Sequence, residues 1–331
     1  MDVSPTRRRT LQLGAAGVAA GVAGCLGGDD DAELMVDFGG ISEIDDGALP
    51  DRTEYRADEP FPKYRLYEAE NPDIALILLH TAAFDSRMLE PLARALAEAN
   101  VAHVFTPDLR GHGPDPETRG DIAARSQLEA DVSYLIEHVE TRFDDVEVVV
   151  GGHGTGGGVV VRFASTAAGE RADGFLLLAP YLGRDEETMR PAMGGWADFF
   201  GDRIFLLQVT TGFGLDWYLD MTTVEYEIPD GVWDGSETLA HTYRLMEAYT
   251  PPEEATEQLI DRPMLTVVGT DDETVYPDSY EEPLGSEDSQ SVEQIDGASY
   301  FDLTVTETAV DTLEAWIDET TFERRGREGW N

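Results

Sequence analysis

Apolar residues in this chain form short continuous runs that alternate with longer stretches of helical spacing. The run DIALILLHT, residues 73–81, is apolar along its whole centre, as a strand buried on both faces of a parallel sheet must be. The stretch SRMLEPLARALAEANV, residues 86–101, then spaces apolar residues three and four positions apart, which predicts an amphipathic helix. The first unit of the chain is therefore a strand followed by a helix.

The same alternation continues along the chain. Further strands are predicted within 101–113, 146–154 and 174–180, and further helices within 126–143 and 155–169. Because the connections are short, the pattern predicts an α/β fold with a mostly parallel central sheet and helices on both faces. Regular alternation stops after residue 182 and resumes near residue 261, and the interval is interpreted as an inserted cap. The predicted divisions are a signal peptide (1–24), a tether and lead-in (25–54), two parts of the core (55–182 and 261–331) and the cap (183–260).

The charge of the chain changes the picture of its partners. Acidic residues outnumber basic ones 67 to 23, and Lys63 is the only lysine. Such a surface repels nucleic acid and anionic lipid headgroups, so no nucleic-acid partner is expected. Since 41% of the residues are hydrophobic, the chain can still bury a core, and the acidic surface is interpreted as an adaptation to a salt-rich medium.

The N-terminus predicts export and lipid attachment. TRRRTLQ (6–12) resembles the twin-arginine export motif, although Thr10 and Gln12 depart from it. VAGC (22–25) resembles a lipobox, after which cleavage leaves a lipidated Cys25, the only cysteine. We therefore expect a lipoprotein anchored to the outer face of the cell membrane. The alternative is ordinary cleavage nearby, which would leave an unlipidated secreted protein.

A glycine-rich turn, GGHGTGGG at 151–158, joins a predicted strand to a predicted helix. A phosphate-binding P-loop would need lysine where Gly158 stands. The dinucleotide pattern G-x-G-x-x-G is matched by Gly152, Gly154 and Gly157, but the next strand, GFLLLAP, ends without the acid that would hold a ribose, so no cofactor is expected. The nucleophile-elbow pattern G-x-S-x-G fits at every position except the serine, which is replaced by Gly154.

Segments on either side of this turn carry a family resemblance. LILLHTAAFDSRM, TPDLRGHG, the glycine turn, GTDDE and IDGASYFDLT resemble, in this order, the landmarks of α/β-hydrolases. The resemblance spans about residues 55–320 and is closest to the monoacylglycerol-lipase and serine-aminopeptidase-like branch. It implies the α/β-hydrolase fold.

The resemblance also assigns catalytic positions. It implies that the nucleophilic serine is replaced by Gly154, the catalytic acid is retained as Asp272 and the catalytic histidine is replaced by Tyr300. Loss of the serine and the imidazole predicts loss of Ser-His-Asp hydrolysis, because a phenol is too weak a base near neutral pH. The backbone N–H groups of Ala82 and Thr155 stand at the oxyanion-hole positions, so we expect a pocket for a small acyl or carboxylate ligand. Asp272 and Tyr300 are expected to hydrogen-bond to each other.

Two other interpretations remain open. The chain is an active ester or acyl (lysophospholipase-like) hydrolase if Ser299 or Thr155 acts as a displaced nucleophile, with His241 in the cap as the least constrained candidate base. His80, His112 and His153 are expected to be structural. No calcium-loop spacing occurs in the acidic runs, so no metal is expected. The third interpretation is an interaction module in which cap aromatics form a partner surface instead of a cap core: Trp196, Phe199, Phe200, Phe213 and Trp217.

Overall fold

An eight-stranded sheet forms the centre of the protein in the computed structural model, which describes residues 36–42, 49–55, 62–143 and 145–322. Its strands are β1 (Thr53–Glu54), β2 (Lys63–Tyr67), β3 (Ile74–Leu79), β4 (Ala102–Pro107), β5 (Glu147–His153), β6 (Gly174–Leu178), β10 (Met264–Gly269) and β11 (Gln290–Ile295). Their order across the sheet is β1-β2-β4-β3-β5-β6-β10-β11. The predicted signal peptide and Cys25 lie outside the described residues.

Pairing in the sheet is parallel from β4 to β11, whereas β2 pairs antiparallel with both β1 and β4. Every residue of β3, β4, β6 and β10 is buried, which explains why β3 and β6 are continuous apolar runs. The predicted mostly parallel sheet of an α/β-hydrolase fold is confirmed.

Helices cover both faces of the sheet. Helices α1 and α8 contact each other, while α2, α3 and α6 form a second contacting group. None of the described helices is both long and apolar enough to cross a membrane. The helices are α1 (Glu90–Glu98), α2 (Gln127–Arg142), α3 (Thr155–Ala164), α4 (Ala192–Gly195), α5 (Gly201–Gly212), α6 (Tyr243–Tyr249), α7 (Glu281–Leu284) and α8 (Glu307–Glu319).

The interval between β6 and β10 contains a second, smaller sheet. Its three antiparallel strands are β7 (Ala197–Phe199), β8 (Thr222–Tyr226) and β9 (Ala240–Thr242). Helices α4, α5 and α6 lie in the same interval, which was predicted to be irregular. We call residues 183–260 the cap. It was not predicted in detail because strands of three to five residues carry almost no periodic signal.

Candidate functional site

The bend between β5 and α3 has the backbone conformation of a tight strand-to-helix turn. Gly154 lies at φ 54° and ψ −118°, in the positive-φ region that residues with a side chain rarely adopt. Its N–H donates to Leu178 O (2.9 Å), and its carbonyl accepts from the N–H groups of Gly158 (3.1 Å) and Tyr181 (2.8 Å). The neighbouring strand, the helix and the following loop therefore all hold the bend in place.

The space in which a nucleophilic side chain would stand is filled. A Cβ built on Gly154 would overlap both Tyr300 Oη and Thr81 Oγ1, and it would lie 3.0 Å from Thr81 Cβ. Tyr300 and Thr81 are both fully buried. Glycine at position 154 is thus required twice, by its positive φ and by the close approach of two other side chains.

Thr81 is the functional-site residue that sequence reasoning missed. Its Oγ1 lies 2.9 Å from Tyr300 Oη, in a hydrogen bond in which either hydroxyl can donate. The backbone N–H of Thr155, at an expected oxyanion-hole position, donates to the same Thr81 Oγ1 (3.3 Å). The Thr81 hydroxyl therefore accepts the hydrogen bond that the Thr155 N–H was expected to donate to a substrate oxygen. The available signal was the hydroxyl residue directly before Ala82, the other expected donor, which is also buried.

Tyr300 cannot act as a base in this environment. Burial raises the pKa of its hydroxyl well above the ordinary value of 10.0, and the charge of nearby Asp272 raises that pKa further. The phenol therefore stays protonated at any physiological pH. The prediction of a hydrogen bond between Asp272 and Tyr300 is wrong, because the Tyr300 hydroxyl forms a hydrogen bond with Thr81 instead.

Asp272, at the expected position of the catalytic acid, hydrogen-bonds to backbone and not to an imidazole. Its Oδ1 accepts hydrogen bonds from the N–H groups of Thr274 (2.7 Å) and Val275 (2.9 Å). Its Oδ2 is buried without a hydrogen-bond partner among the described residues. Burial raises the pKa of the Asp272 carboxyl to about 7, against the opposing effect of the two backbone donors. The group is therefore partly protonated at neutral pH.

His153 lies beneath Tyr300. Its Nε2–H donates to the backbone carbonyl of Tyr300 (2.9 Å), and the two ring centroids are 4.3 Å apart. Burial lowers the pKa of His153 to about 4, so the ring is neutral. Its Nδ1 is buried and has no hydrogen-bond partner among the described residues. The ring therefore supports the side chain that fills the site and contacts no nucleophile.

The remaining candidates for a rearranged catalytic site do not hydrogen-bond to one another. His241 is in β9, where its Nε2 lies 3.1 Å from Nε2 of His112, and burial lowers the pKa of His241 to about 3. Ser299 is half-buried, and its N–H donates to Asp302 Oδ2 (2.8 Å). Within the described segments, no imidazole hydrogen-bonds to a serine or threonine hydroxyl.

Aromatic rings cover the filled site. The ring centroid of Trp196 lies 6.3 Å from that of Tyr300 and 6.1 Å from that of Phe301. Phe38, from the lead-in before the sheet, packs at 5.9 Å from Trp196, 5.2 Å from Phe301 and 6.2 Å from Phe84. All of these rings are buried. The lead-in therefore seals the site from outside.

Glu273 connects this lead-in to Tyr300. Its Oε1 accepts from the N–H of Asp37, and its Oε2 accepts from the N–H of Tyr300, both at 3.2 Å.

The five aromatic residues predicted for a cap core or a partner surface differ in their burial. Trp196 is buried and Phe199 and Phe200 are half-buried, whereas Phe213 and Trp217 are exposed.

Two cavities in the described part of the chain lie away from the bend. One, of about 550 Å³, is lined by charged residues that follow β4 and by Arg52, Lys63 and Arg244. The other, of about 630 Å³, is lined by β2 and the end of α1. Neither includes Gly154, Asp272 or Tyr300. No group of three or more His, Cys, Asp or Glu side chains in the described segments is arranged to hold a metal ion.

Comparison with solved structures places the fold among lipases and esterases. A soluble variant of monoglyceride lipase from Saccharomyces cerevisiae, in complex with a substrate analogue, aligns with a TM-score of 0.66 at 16% identity, over 83% of this chain and 96% of that one. Monoacylglycerol lipase from Paleococcus ferrophilus aligns with a TM-score of 0.56 at 18% identity, over 77% and 98%. A malate-bound thermophilic esterase from Thermogutta terrifontis aligns with a TM-score of 0.55 at 16% identity, over 81% and 98%.

Sequence comparison identifies the family. No curated protein matches the chain. The family model described as serine aminopeptidase, S33, matches residues 70–295, which is more than half of the chain and includes the bend at Gly154 as well as Asp272. The chain therefore belongs to the serine aminopeptidase S33 family of α/β-hydrolases.

Proposed function

We propose that this protein is a surface-anchored α/β-hydrolase-like protein that has lost Ser-His-Asp hydrolysis and acts by binding. One observation carries the proposal: Tyr300 Oη and Thr81 Oγ1 fill the space that a nucleophile on position 154 would need. A glycine at position 154 would by itself mean only that the nucleophilic side chain is absent. The packing of two buried hydroxyls into the space of that side chain supports a site that has been rebuilt without a nucleophile.

The chemistry of acyl transfer supports this proposal. Hydrolysis by the triad needs an oxygen at the tip of the bend and an imidazole that removes its proton and later protonates the leaving group. Here the tip has no side chain, and the phenol at the histidine position has a pKa raised by burial. Asp272 directs one oxygen to two backbone N–H groups instead of to an imidazole.

A small acyl or carboxylate ligand is the proposed occupant of the remaining anion site. Its oxygen would replace the Thr81 hydroxyl on the N–H of Thr155 and would be favoured by the N-terminus of α3. Because Tyr300 and Thr81 are fully buried, this exchange requires movement of the aromatic cover. The proposed anchoring depends on lipidation of Cys25, which lies outside the described residues.

An attempt to restore catalysis tests the proposal. Three chains are compared in high salt with short acyl esters: wild type, Gly154→Ser with Tyr300→His, and the same pair with Thr81→Ala. We expect wild-type turnover no higher than the roughly 10³- to 10⁴-fold acceleration over water that a site without a triad retains. Since Thr81 also overlaps the added side chain, we expect the triple variant to exceed the double variant by about tenfold or more. Adding Asp272→Asn to the triple variant should abolish the gain.

The second candidate is an active ester or acyl hydrolase with a rearranged site. It is favoured by the buried Asp272 carboxyl, whose pKa of about 7 suits general acid–base catalysis. A fluorophosphonate probe distinguishes the two candidates, because it labels only an activated nucleophile. Stable labelling of the wild-type chain together with turnover in the usual enzymatic range, about 1 to 10³ per second, would overturn the first proposal.

A further inference from the structure

The outer side of the cap exposes an unusual number of apolar side chains. We call this surface the outer cap surface; it consists of Phe205, Leu206 and Val209 on α5 and of Phe213, Leu215, Trp217 and Tyr218 in the loop that follows. These seven are among the ten exposed large hydrophobic residues of the described segments. Phe213 is 81% exposed and Trp217 is 68% exposed. Contiguous apolar exposure of this kind marks an interaction site.

Helix α5 is apolar on two opposite faces. Ile204 and Leu207 are buried, and the helix contacts β8 of the cap sheet. Phe205, Leu206 and Val209 project from the other side of the helix and are exposed. Burial against the cap accounts for the first face only. The second face is not buried by any of the described segments, and exposed apolar faces of this kind mark interaction sites.

Charge is absent where the apolar side chains are. The eleven residues 205–215 contain no Asp, Glu, Lys or Arg, in a chain of 331 residues with 67 acidic and 23 basic ones. Exposed Asp202 and Arg203 precede this stretch, and exposed Asp216 follows it. A polyanionic partner would meet no cluster of cations here, and an acidic peptide is excluded for the same reason.

The chemistry of the outer cap surface fits the interfacial zone of a lipid bilayer. Trp217 and Tyr218 are of the two residue types that concentrate at the headgroup level of membranes, because each combines an apolar ring with one polar group. A helix with an apolar outer face can lie in the plane of this zone. Phe213 and Leu215 in the loop add apolar area that reaches beyond the helix.

The position of the lead-in supports a membrane partner. Val36 lies against Gly194 and Phe38 against Trp196, just before β7 and α5 of the cap. The chain therefore enters the described fold at the cap that bears the outer cap surface. Cys25, the expected lipid attachment site, precedes Val36 by eleven residues, which span at most about 40 Å when extended. A lipid on Cys25 would therefore keep Val36 within that contour length of a bilayer.

We propose that the outer cap surface is a membrane-docking surface that inserts its aromatic and aliphatic side chains into the interfacial zone of a lipid bilayer. This docking is separate from the attachment at Cys25, and it does not depend on whether hydrolysis has been lost. Because the chain is strongly acidic, apolar insertion drives the binding against electrostatic repulsion from anionic lipids.

Vesicle binding by the full chain tests the docking surface. Every chain carries Cys25→Ser, so no lipid is attached. Wild type is compared with Phe213→Ser plus Trp217→Ser, and with Tyr134→Ser plus Leu239→Ser, which changes two exposed apolar residues outside the surface. Flotation with phosphatidylcholine vesicles should show partitioning of wild type and of the control variant, and about tenfold or greater loss for the surface variant. Circular dichroism should be the same for all three chains.

Salt dependence sharpens the test. With vesicles that contain anionic phosphatidylglycerol, binding of wild type should increase between 0.01 M and 1 M salt, because the Debye length falls from about 30 Å to about 3 Å. Failure of wild type to bind, equal binding by all three chains, or an equal loss in the control variant would each overturn the proposal. So would a dimer seen by sedimentation velocity that the surface variant loses without any vesicle binding, since a second copy would then cover the surface.

Discussion

The bend at Gly154 and the outer cap surface differ in the burial of their large side chains. At the bend, Tyr300 and Thr81 are fully buried and fill the place of a reacting group. On the cap, α5 and the following loop expose seven large apolar side chains to solvent. The two proposals above therefore place contact with a membrane on the cap, away from the filled bend. Three changes test this contrast, beginning with the largest expected effect.

The same substitution should have opposite consequences in the two regions. Gly154→Ala forces a side chain into a positive φ and into overlap with Tyr300 and Thr81, so it should lower the free energy of unfolding by roughly 4 kcal/mol. Gly212→Ala, at the end of α5, places its Cβ where no atom lies within 4 Å, and should leave stability unchanged or raise it by up to about 1 kcal/mol. Urea unfolding at fixed high salt measures both. Equal effects would contradict a filled bend.

A second contrast concerns pH. The folded state raises the pKa of Asp272 from 3.8 to about 7, so folded protein keeps this proton to a higher pH than unfolded protein does. The contribution of Asp272 to the free energy of unfolding therefore falls by about 3 kcal/mol as pH rises from 4 to 7, and it is constant above pH 8. Asp272→Asn should remove this fall, so the difference in unfolding free energy between variant and wild type should change by that amount over this range. A pH-independent difference would contradict the raised pKa.

The smallest effect compares two tyrosine hydroxyls. Tyr300→Phe removes a buried hydrogen bond to Thr81 and should cost about 1 to 2 kcal/mol in unfolding free energy. Tyr218→Phe on the outer cap surface should cost less than about 0.5 kcal/mol, because that hydroxyl belongs to an exposed side chain. Thermal unfolding of both variants beside wild type checks the pair. Similar costs would mean that the Tyr300 hydroxyl adds little to the filled site.

The sheet could be predicted because a strand that is buried on both faces is a continuous run of apolar residues in the sequence. Residues 74–79 are all apolar and all buried in β3, and the glycines at 151–154 mark the end of β5. The lead-in that covers the site gave no such mark. Phe38 stands in a glycine-rich, acidic stretch, and its contacts with Trp196 and Phe301 join positions more than 150 residues apart. Local pattern carries no information about contacts of that separation.

The roles of the site residues stay predictions, and their packing could not be predicted. Family resemblance assigned catalytic positions to Gly154, Asp272 and Tyr300, and it left the expected oxyanion donors Ala82 and Thr155 available for a ligand. The structure instead puts the Thr81 hydroxyl on the N–H of Thr155. Comparison of landmarks gives the residue types at the expected positions, whereas only the structure shows that Thr81 packs among them.

The overlap at the bend also bears on how this protein can change over generations. A side chain at position 154 fits only after Tyr300 and Thr81 have been replaced. Under the proposed loss of hydrolysis, a serine that returned to position 154 alone would meet both of these side chains and would still lack an imidazole at position 300. Reversal of that loss would therefore need several coordinated substitutions.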